Sequence, residues 1–348
     1  MHRLRFIIAT SLLFVALASI VIPIPPSNNG KHLLDAAEAQ GTTLTIYSGR
    51  NENLVGPIIE QFEQDTGIEV EVHYGDTASL ALTLIEEGEN TPADVFFAQD
   101  AGALGLLSNN GLLDTLPKYI VDSVEPRFRS TEGEWVGVTG RARVIAYNTD
   151  VLTEEDLPDT LLEVTDPQWR ERLGFVPTNA SFLAHLTAVR VSEGDDVARE
   201  LVEGLLANDA PQYENNVQAV AAVAAGEIDA ALVNHYYLFR LLAETPNAPV
   251  ANYYFPGDDI GNLINVAGAG ILRSSDAKPL AQQFIAYLLS RTAQTYFAEN
   301  TYEYPLLIGV EADPRLKPLE EIETPDIDLS DLDDLQGTLE LLDELLTQ

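Results

Sequence analysis

The adjacent pair Tyr236-Tyr237 is the feature of this 348-residue sequence most able to do chemistry. A phenolate oxygen is a hard anionic donor, and a hard trivalent cation such as Fe(III) can displace a phenolic proton held at a pKa of about 10, as metals do for bound water and thiols. Two phenolates would leave a ferric ion with one positive charge, which a bound phosphate or carbonate would neutralise. The ordinary fate of a Tyr-Tyr dipeptide is packing in a core or interface, and spacing alone does not separate the two. Asn179-Ala180-Ser181 leads directly into a helical run beginning at Phe182, so its backbone N–H groups and small side chains could make an anion pocket. Asn216 stands likewise at the start of a helix from Val217. Many helices open on such polar residues, and the pocket gains weight only because Asn234 and the cationic Arg141 could converge on it.

These residues need elements to hold them. From residue 43 the pattern alternates: Thr43 to Tyr47 is strand-like, Leu54, Ile58, Ile59 and Phe62 recur at helical spacing, Thr66-Gly67 ends that helix, and Ile68, Val70 and Val72 alternate again. That is a βαβ unit. A helix over Ala78 to Glu87, a strand over Asp94 to Ala98 and a helix from the N-cap Asp100 to about Gly111 extend it, which implies a mostly parallel sheet flanked by helices. After an irregular stretch from Leu116 to Glu134 the pattern restarts. Val138 to Tyr147, Gly174 to Val176 and Ile228 to Val233 read as strands; Phe182 to Val191, Ala198 to Leu206 and Val217 to Ala225 read as helices. Val266 to Leu272, followed by helices over Ala277 to Leu289 and Thr292 to Glu299, is too short for a third lobe and should return to complete the first sheet. The chain would then cross between lobes near 138–143 and 262–268, and two lobes on extended crossovers can close like a hinge. The polar loops after the strands, Ser48 to Asn53, Gln99-Asp100, Thr178 to Ser181 and Asn234 to Tyr237, would line one cleft. At the C-terminus, Leu332, Leu335, Leu339, Leu342 and Leu346 recur every three or four residues within an acidic stretch, which predicts a docked amphipathic helix.

Composition sets the limits. With 55 acidic against 19 basic residues the formal charge is -36, the wrong sign for gripping a nucleic-acid backbone; it describes a solvated acidic surface. The absence of Cys excludes disulfides, thiolate metal sites and cysteine nucleophiles. Neither HExxH, a Ser-His elbow, a Walker loop nor GxGxxG occurs, so an enzyme is disfavoured. His73 and His185 fall in a strand and a helix, and His235 fits a structural role beside the Tyr pair better than ligation. Arg3 and Arg5 ahead of an apolar run from Phe6 to Ile22, stopped by Pro23, Pro25 and Pro26, read as an export signal; an uncleaved anchor is the alternative. Ala37-Glu38-Ala39 is a cleavage pattern, with Ala16-Leu17-Ala18 as its rival.

Nearly the whole mature chain resembles the periplasmic ferric-ion-binding proteins of ABC transporters, within the periplasmic-binding-protein type 2 superfamily. The resemblance runs through TIYSGRNEN (Thr45 to Asn53), TGIEVEVHYG (Thr66 to Gly75), PADVFFAQDAGAL (Pro92 to Leu104), GRARVIAYN (Gly140 to Asn148), GFVPTNASFL (Gly174 to Leu183), GEIDAALVNHYY (Gly226 to Tyr237), GAGILRSS (Gly268 to Ser275) and EYPL (Glu303 to Leu306). It implies a two-lobed α/β fold with hinge strands, divided as a leader at 1–39, a first lobe of 40–140 with 268–317, and a second lobe of 141–267 with 318–348. By the same resemblance, Tyr236 and Tyr237 bind Fe(III), while Asn179, Ala180, Ser181, Asn216 and Asn234 hold a synergistic phosphate or carbonate with Arg141 beside it. A monomer that presents its ferric ion to a membrane permease outside the cytoplasm is the expected mode of action. Two positions depart from a common family pattern: Asn51 and Gln99 stand where His and Glu serve as first-lobe ligands. Asp100, Asp76 and Tyr74 are conceivable substitutes, and Phe182 has no oxygen to offer where some relatives recruit a further Tyr. A binding protein of the same fold for a small anion without metal is the alternative.

Overall fold

Alternation of the fully buried Leu44 and Ile46 makes Thr43–Ser48 the first strand, β1. The computed structural model describes residues 43–347, so the leader expected at 1–39 lies outside the described residues. The Asn51 side chain caps α1 (Glu52–Thr66), which buries Val55, Ile58, Ile59 and Phe62, and Gly67 at φ 73° ends it ahead of β2 (Glu69–Tyr74). Next come α2 (Thr77–Glu87), β3 (Val95–Ala98), α3 (Ala101–Asn109) and the short α4 (Lys118–Val121). β1 pairs in parallel with both β2 and β3, as consecutive right-handed βαβ crossovers require.

The 14-residue β4 (Trp135–Asn148) is buried along its whole length. It is followed by β5 (Leu173–Gly174), α5 (Ala180–Glu193), α6 (Asp195–Ala207), α7 (Asn216–Ala225), β6 (Ala230–Asn234), α8 (Tyr236–Glu244) and β7 (Val250–Tyr253). β8 (Ile264–Ile271), α9 (Lys278–Leu288), α10 (Arg291–Asn300), β9 (Tyr304–Pro305) and α11 (Leu335–Leu346) complete the described chain. β8 returns antiparallel to β3, so the third region does complete the first sheet. From Trp135 to Ala142, β4 pairs with β8; from Arg143 onward it pairs with β6 and β7. One strand therefore serves both halves and exchanges partners between Ala142 and Arg143. β8 starts at Ile264, within the second expected crossover. The fold is two-lobed, with extended strands joining the lobes.

α11 is the docked helix: it buries Thr338, Leu341, Leu342 and Leu345 and packs on α5 and α6. The 3-10 turn before it, Leu329–Asp333, lies against α3 in the other half of the molecule. Gly102 and Gly105 on α3 make that approach possible, since a Cβ there would sit 2.2 Å from the Leu332 carbonyl oxygen and 2.4 Å from that of Ser330. The C-terminal segment thus touches elements on both sides of the crossover.

Two elements correct the sequence reading. Asn234 to Tyr237 is no loop: β6 ends at Asn234, and Tyr236 and Tyr237 form the first turn of α8. β7 was not anticipated and pairs with the second half of β4.

Candidate functional site

α8 begins without a capping side chain, because His235 makes no cap hydrogen bond and the Asn234 side chain is committed elsewhere. Its first two side chains are the tyrosines, with ring centroids 4.3 Å apart and planes inclined at 32°. Tyr236 is 3% exposed and Tyr237 is half-buried. Burial pushes the Tyr236 phenol well above its ordinary range; Tyr237 adds to the shift and Arg141 opposes it. Without a metal this phenol is neutral, so only a strongly charged cation would displace its proton.

Asn234 is buried, donates from Nδ2 to Ser181 Oγ at 2.9 Å and accepts at Oδ1 from Arg143 Nη1 at 3.0 Å. Asn179 is the N-cap of α5, accepting from the Ser181 backbone N–H at 3.0 Å, so part of the anticipated N–H donor set is spent within the cap itself. Asn216, the first residue of α7, is buried and its Nδ2 has no partner. Arg141 is buried and donates from Nη2 to the Gln99 carbonyl oxygen, leaving Nε and Nη1 without partners. The structure therefore brings Asn234, Ser181 and Arg141 into the neighbourhood of the Tyr pair, with Asn179 and Ala180 at the adjoining helix start.

Arg143 is the residue the sequence reading missed. It lies two positions beyond Arg141, hence on the same face of β4, and that alternation in GRARVIAYN was the available signal. Its Nε donates to His185 Nδ1 at 3.3 Å, its Nη1 to Asn234, and its Nη2 has no partner. Burial lowers the Arg143 pKa to about 10, and the nearby Tyr236 and Tyr237 resist that shift, so the group stays charged. Burial and then Arg50 lower the Arg141 pKa, against Glu303 and Tyr236. Arg141 Nε and Nη1, Arg143 Nη2 and Asn216 Nδ2 are thus buried donors without acceptors. Each unpaired donor of this kind costs about 1–3 kcal/mol. An oxyanion would supply acceptors of the kind that Arg141 and Arg143, two positions apart on β4, lack; Arg50 Nε and Asn265 Nδ2 are buried without partners as well.

The first-lobe positions behave differently. Asn51 is exposed, and its Oδ1 accepts from the Asn53 backbone N–H at 2.9 Å as the cap of α1. Gln99 Oε1 accepts from Arg50 Nη1 at 2.6 Å and its carbonyl oxygen from Arg141. Asp100 and Asp76 cap α3 and α2, Tyr74 is on the exposed β2, and Phe182 is buried. Behind Gln99, Arg50 forms a fully buried ion pair with Glu303 at 2.7 Å, and Thr139 Oγ1 also donates to Glu303. Burial alone would raise the Glu303 pKa, but Arg50 and then Arg141 outweigh it and hold this carboxyl below its usual range.

His235 is buried and structural. Its Nδ1 accepts from the Ala142 N–H at 3.1 Å, which fixes the proton on Nε2 for donation to the Tyr302 carbonyl oxygen at 2.8 Å. Burial lowers its pKa to about 4, and it stacks on Tyr304 at 4.7 Å. His185 donates from Nε2 to the Ile260 carbonyl oxygen and is likewise neutral, with a pKa lowered by burial to about 3.

Among the described residues, no three His, Cys, Asp or Glu side chains gather to hold a metal. Two hollows of about 450 and 470 Å³ lie elsewhere, under residues 304–320 and beside Tyr253, Tyr254 and Arg315; neither is lined by Tyr236 or Tyr237.

The family model for bacterial extracellular solute-binding proteins matches residues 90–331. The Fe(3+)-binding periplasmic protein of Serratia marcescens is 31% identical over 304 residues, covering 86% of this chain and 89% of that protein. The crystal structure of iron-bound HitA from Pseudomonas aeruginosa superposes with a TM-score of 0.82 at 38% identity, covering 87% of this chain and 99% of that one. The Trichodesmium protein IdiA (FutA), solved with iron and citrate ligands, gives a TM-score of 0.76 at 27% identity over 87% of this chain and 99% of that one.

Proposed function

Because the chain belongs to the bacterial extracellular solute-binding proteins, we propose that it captures Fe(III) with an oxyanion between its lobes, outside the cytoplasm, and delivers the ion to an ABC permease. In this reading 40–140 with 268–317 forms one lobe and 141–267 with 318–348 the other. The observation that carries it is the paired phenols of Tyr236 and Tyr237 at the start of α8, with Tyr236 close enough to Arg141 and Arg143 to act on the ionisation of both guanidinium groups. Iron relatives over most of the chain length support the same cargo.

The division of labour follows from the chemistry of each group. Tyr236 and Tyr237 would lose their phenolic protons to solvent as the ferric ion binds and supply it with two anionic oxygens. Phosphate or carbonate accepts from Arg141, Arg143 and Asn216, with Ser181 and Asn234 at its edge, and removes the remaining positive charge. Gln99 and Asn51 already have partners, so water or the anion itself fills the first-lobe side of the metal.

Ferric iron added to the purified protein should produce a visible phenolate-to-iron charge-transfer band that is absent in the Tyr236→Phe, Tyr237→Phe double variant. An unchanged spectrum in that variant rejects the site. The unpartnered guanidinium nitrogens also suit a second reading, an anion carrier without metal. Calorimetric titration with phosphate separates the two: tight binding together with no band on addition of iron favours the second.

A further inference from the structure

Arg141 and Arg143 stand on opposite sides of the point where β4 changes sheets. The backbone of Arg141 pairs with Asn265 of β8, and that of Arg143 with Asn234 of β6. Between them Ala142 is gripped by one residue: its N–H donates to His235 Nδ1 and its carbonyl oxygen accepts the His235 N–H. The His235 ring reaches on to the Tyr302 carbonyl oxygen, so the crossover is held at Ala142 while the strand on either side follows a different sheet. Residues two apart on a strand share a face and are rooted roughly 7 Å apart. Both guanidinium groups are buried and both have nitrogens without acceptors; neither forms an ion pair with a carboxylate among the described residues, although Glu303 and Asp100 lie near enough to Arg141 to act on its charge.

We infer that a single oxyanion bridging Arg141 and Arg143 spans the hinge itself, so that anion binding sets the angle between the lobes before any metal arrives. The physical reason is differential contact. Bending at Ala142 changes the separation of the two guanidinium groups, and only a limited range of angles lets one phosphate or carbonate accept from both. Without the anion, the like charges repel across the hinge in a buried setting where screening is weak. With it, repulsion becomes shared attraction, and the anion favours the lobe geometry in which both contacts exist. His185 and Asn234 orient Arg143 from the second lobe, while the Gln99 carbonyl oxygen orients Arg141 from the first. This rests on the anion pocket proposed above, but it adds that the anion is a conformational effector as well as a counter-charge.

The test uses the full protein stripped of iron, titrated with inorganic phosphate, with affinity read by calorimetry and the radius of gyration by X-ray scattering. Wild-type protein should contract on phosphate binding with no metal present. Arg143→Gln should bind phosphate at least about tenfold more weakly, as expected for loss of a charge-assisted donor, and should not contract at phosphate concentrations that saturate it. Arg141→Gln should behave in the same way, and circular dichroism checks that each variant is folded. Phosphate binding to wild type without contraction, or full contraction in either variant, overturns the inference; the wild-type measurement decides even if a variant fails to fold. The iron reading fails separately, by absence of the charge-transfer band, whatever phosphate does to the radius.

Discussion

The two faces that meet at the crossover are built from similar polar residues in different states of satisfaction. On the first-lobe side, Asn51, Asp76 and Asp100 are spent as helix caps, Gln99 is held by Arg50 and Arg141, and Arg50 is neutralised by Glu303, with only its Nε left without a partner. On the second-lobe side, Asn216 and Arg143 retain buried donors with no acceptor, and Arg141 does so at the boundary. A polar residue at the end of a strand is therefore not a ligand by virtue of its position. What distinguishes a binding face is hydrogen-bonding capacity that the fold has paid to bury and left open.

Breaking the open face should have the largest effect. Tyr236→Phe and Tyr237→Phe singly remove a donor to the metal and should weaken iron binding, in competition with a chelator, beyond the roughly 10–100-fold typical of outer-shell changes. Gln99→Ala should weaken it by less than that, because its oxygens are already committed; equal losses on the two faces would erase the distinction. Next comes the closed network behind the first-lobe face. Glu303→Gln leaves Arg50 buried without its counter-charge and should cost about 3–5 kcal/mol of stability in denaturant unfolding, whereas an unchanged midpoint would show that the pair is not the support described.

A smaller effect concerns the prop of Arg143. His185 is neutral when folded, with a pKa of about 3 against about 6.5 in the unfolded chain, so the unfolded state takes up the proton first. Its contribution to stability is full above pH 6.5 and declines as the pH falls toward 3. His185→Gln should flatten that part of the stability profile, and a profile identical to wild type would mean that the ring is not buried neutral. The smallest change is expected at Asn51. Asn51→Ala loses only a helix cap, about 1 kcal/mol of stability, and should leave iron affinity as it was. A large drop in affinity would make Asn51 a first-lobe contact after all and redraw the comparison.

Much of the scaffold was legible because its physical signals are local. The alternation of Leu44 with Ile46, the Gly67 stop and the cap Asp100 gave the βαβ units and their helices to within a few residues. The leucine spacing near the C-terminus gave the helix but not its face: Leu339 and Leu346 are exposed, and Leu341 and Leu345 are buried with Leu342 instead. α8 escaped notice because its start lacks a side-chain cap: Asn234, the residue that would announce one, reaches sideways to Ser181 and Arg143. The Leu329–Asp333 turn on Gly102 and Gly105 was equally invisible, since a close approach between distant backbones leaves only two small residues in the sequence.

By itself, then, the sequence determined the α/β alternation, the sites of the two crossovers and the residue types available for binding, because periodicity, caps and side-chain chemistry are properties of short segments. Tertiary structure alone decided which of those groups are occupied. Asn51 and Gln99 are satisfied by contacts that form only when the chain folds, whereas Arg141, Arg143 and Asn216 are buried by strands and helices distant in sequence that provide no acceptor for them. Hydrogen-bond satisfaction is settled by three-dimensional neighbours, and no one-dimensional spacing encodes it.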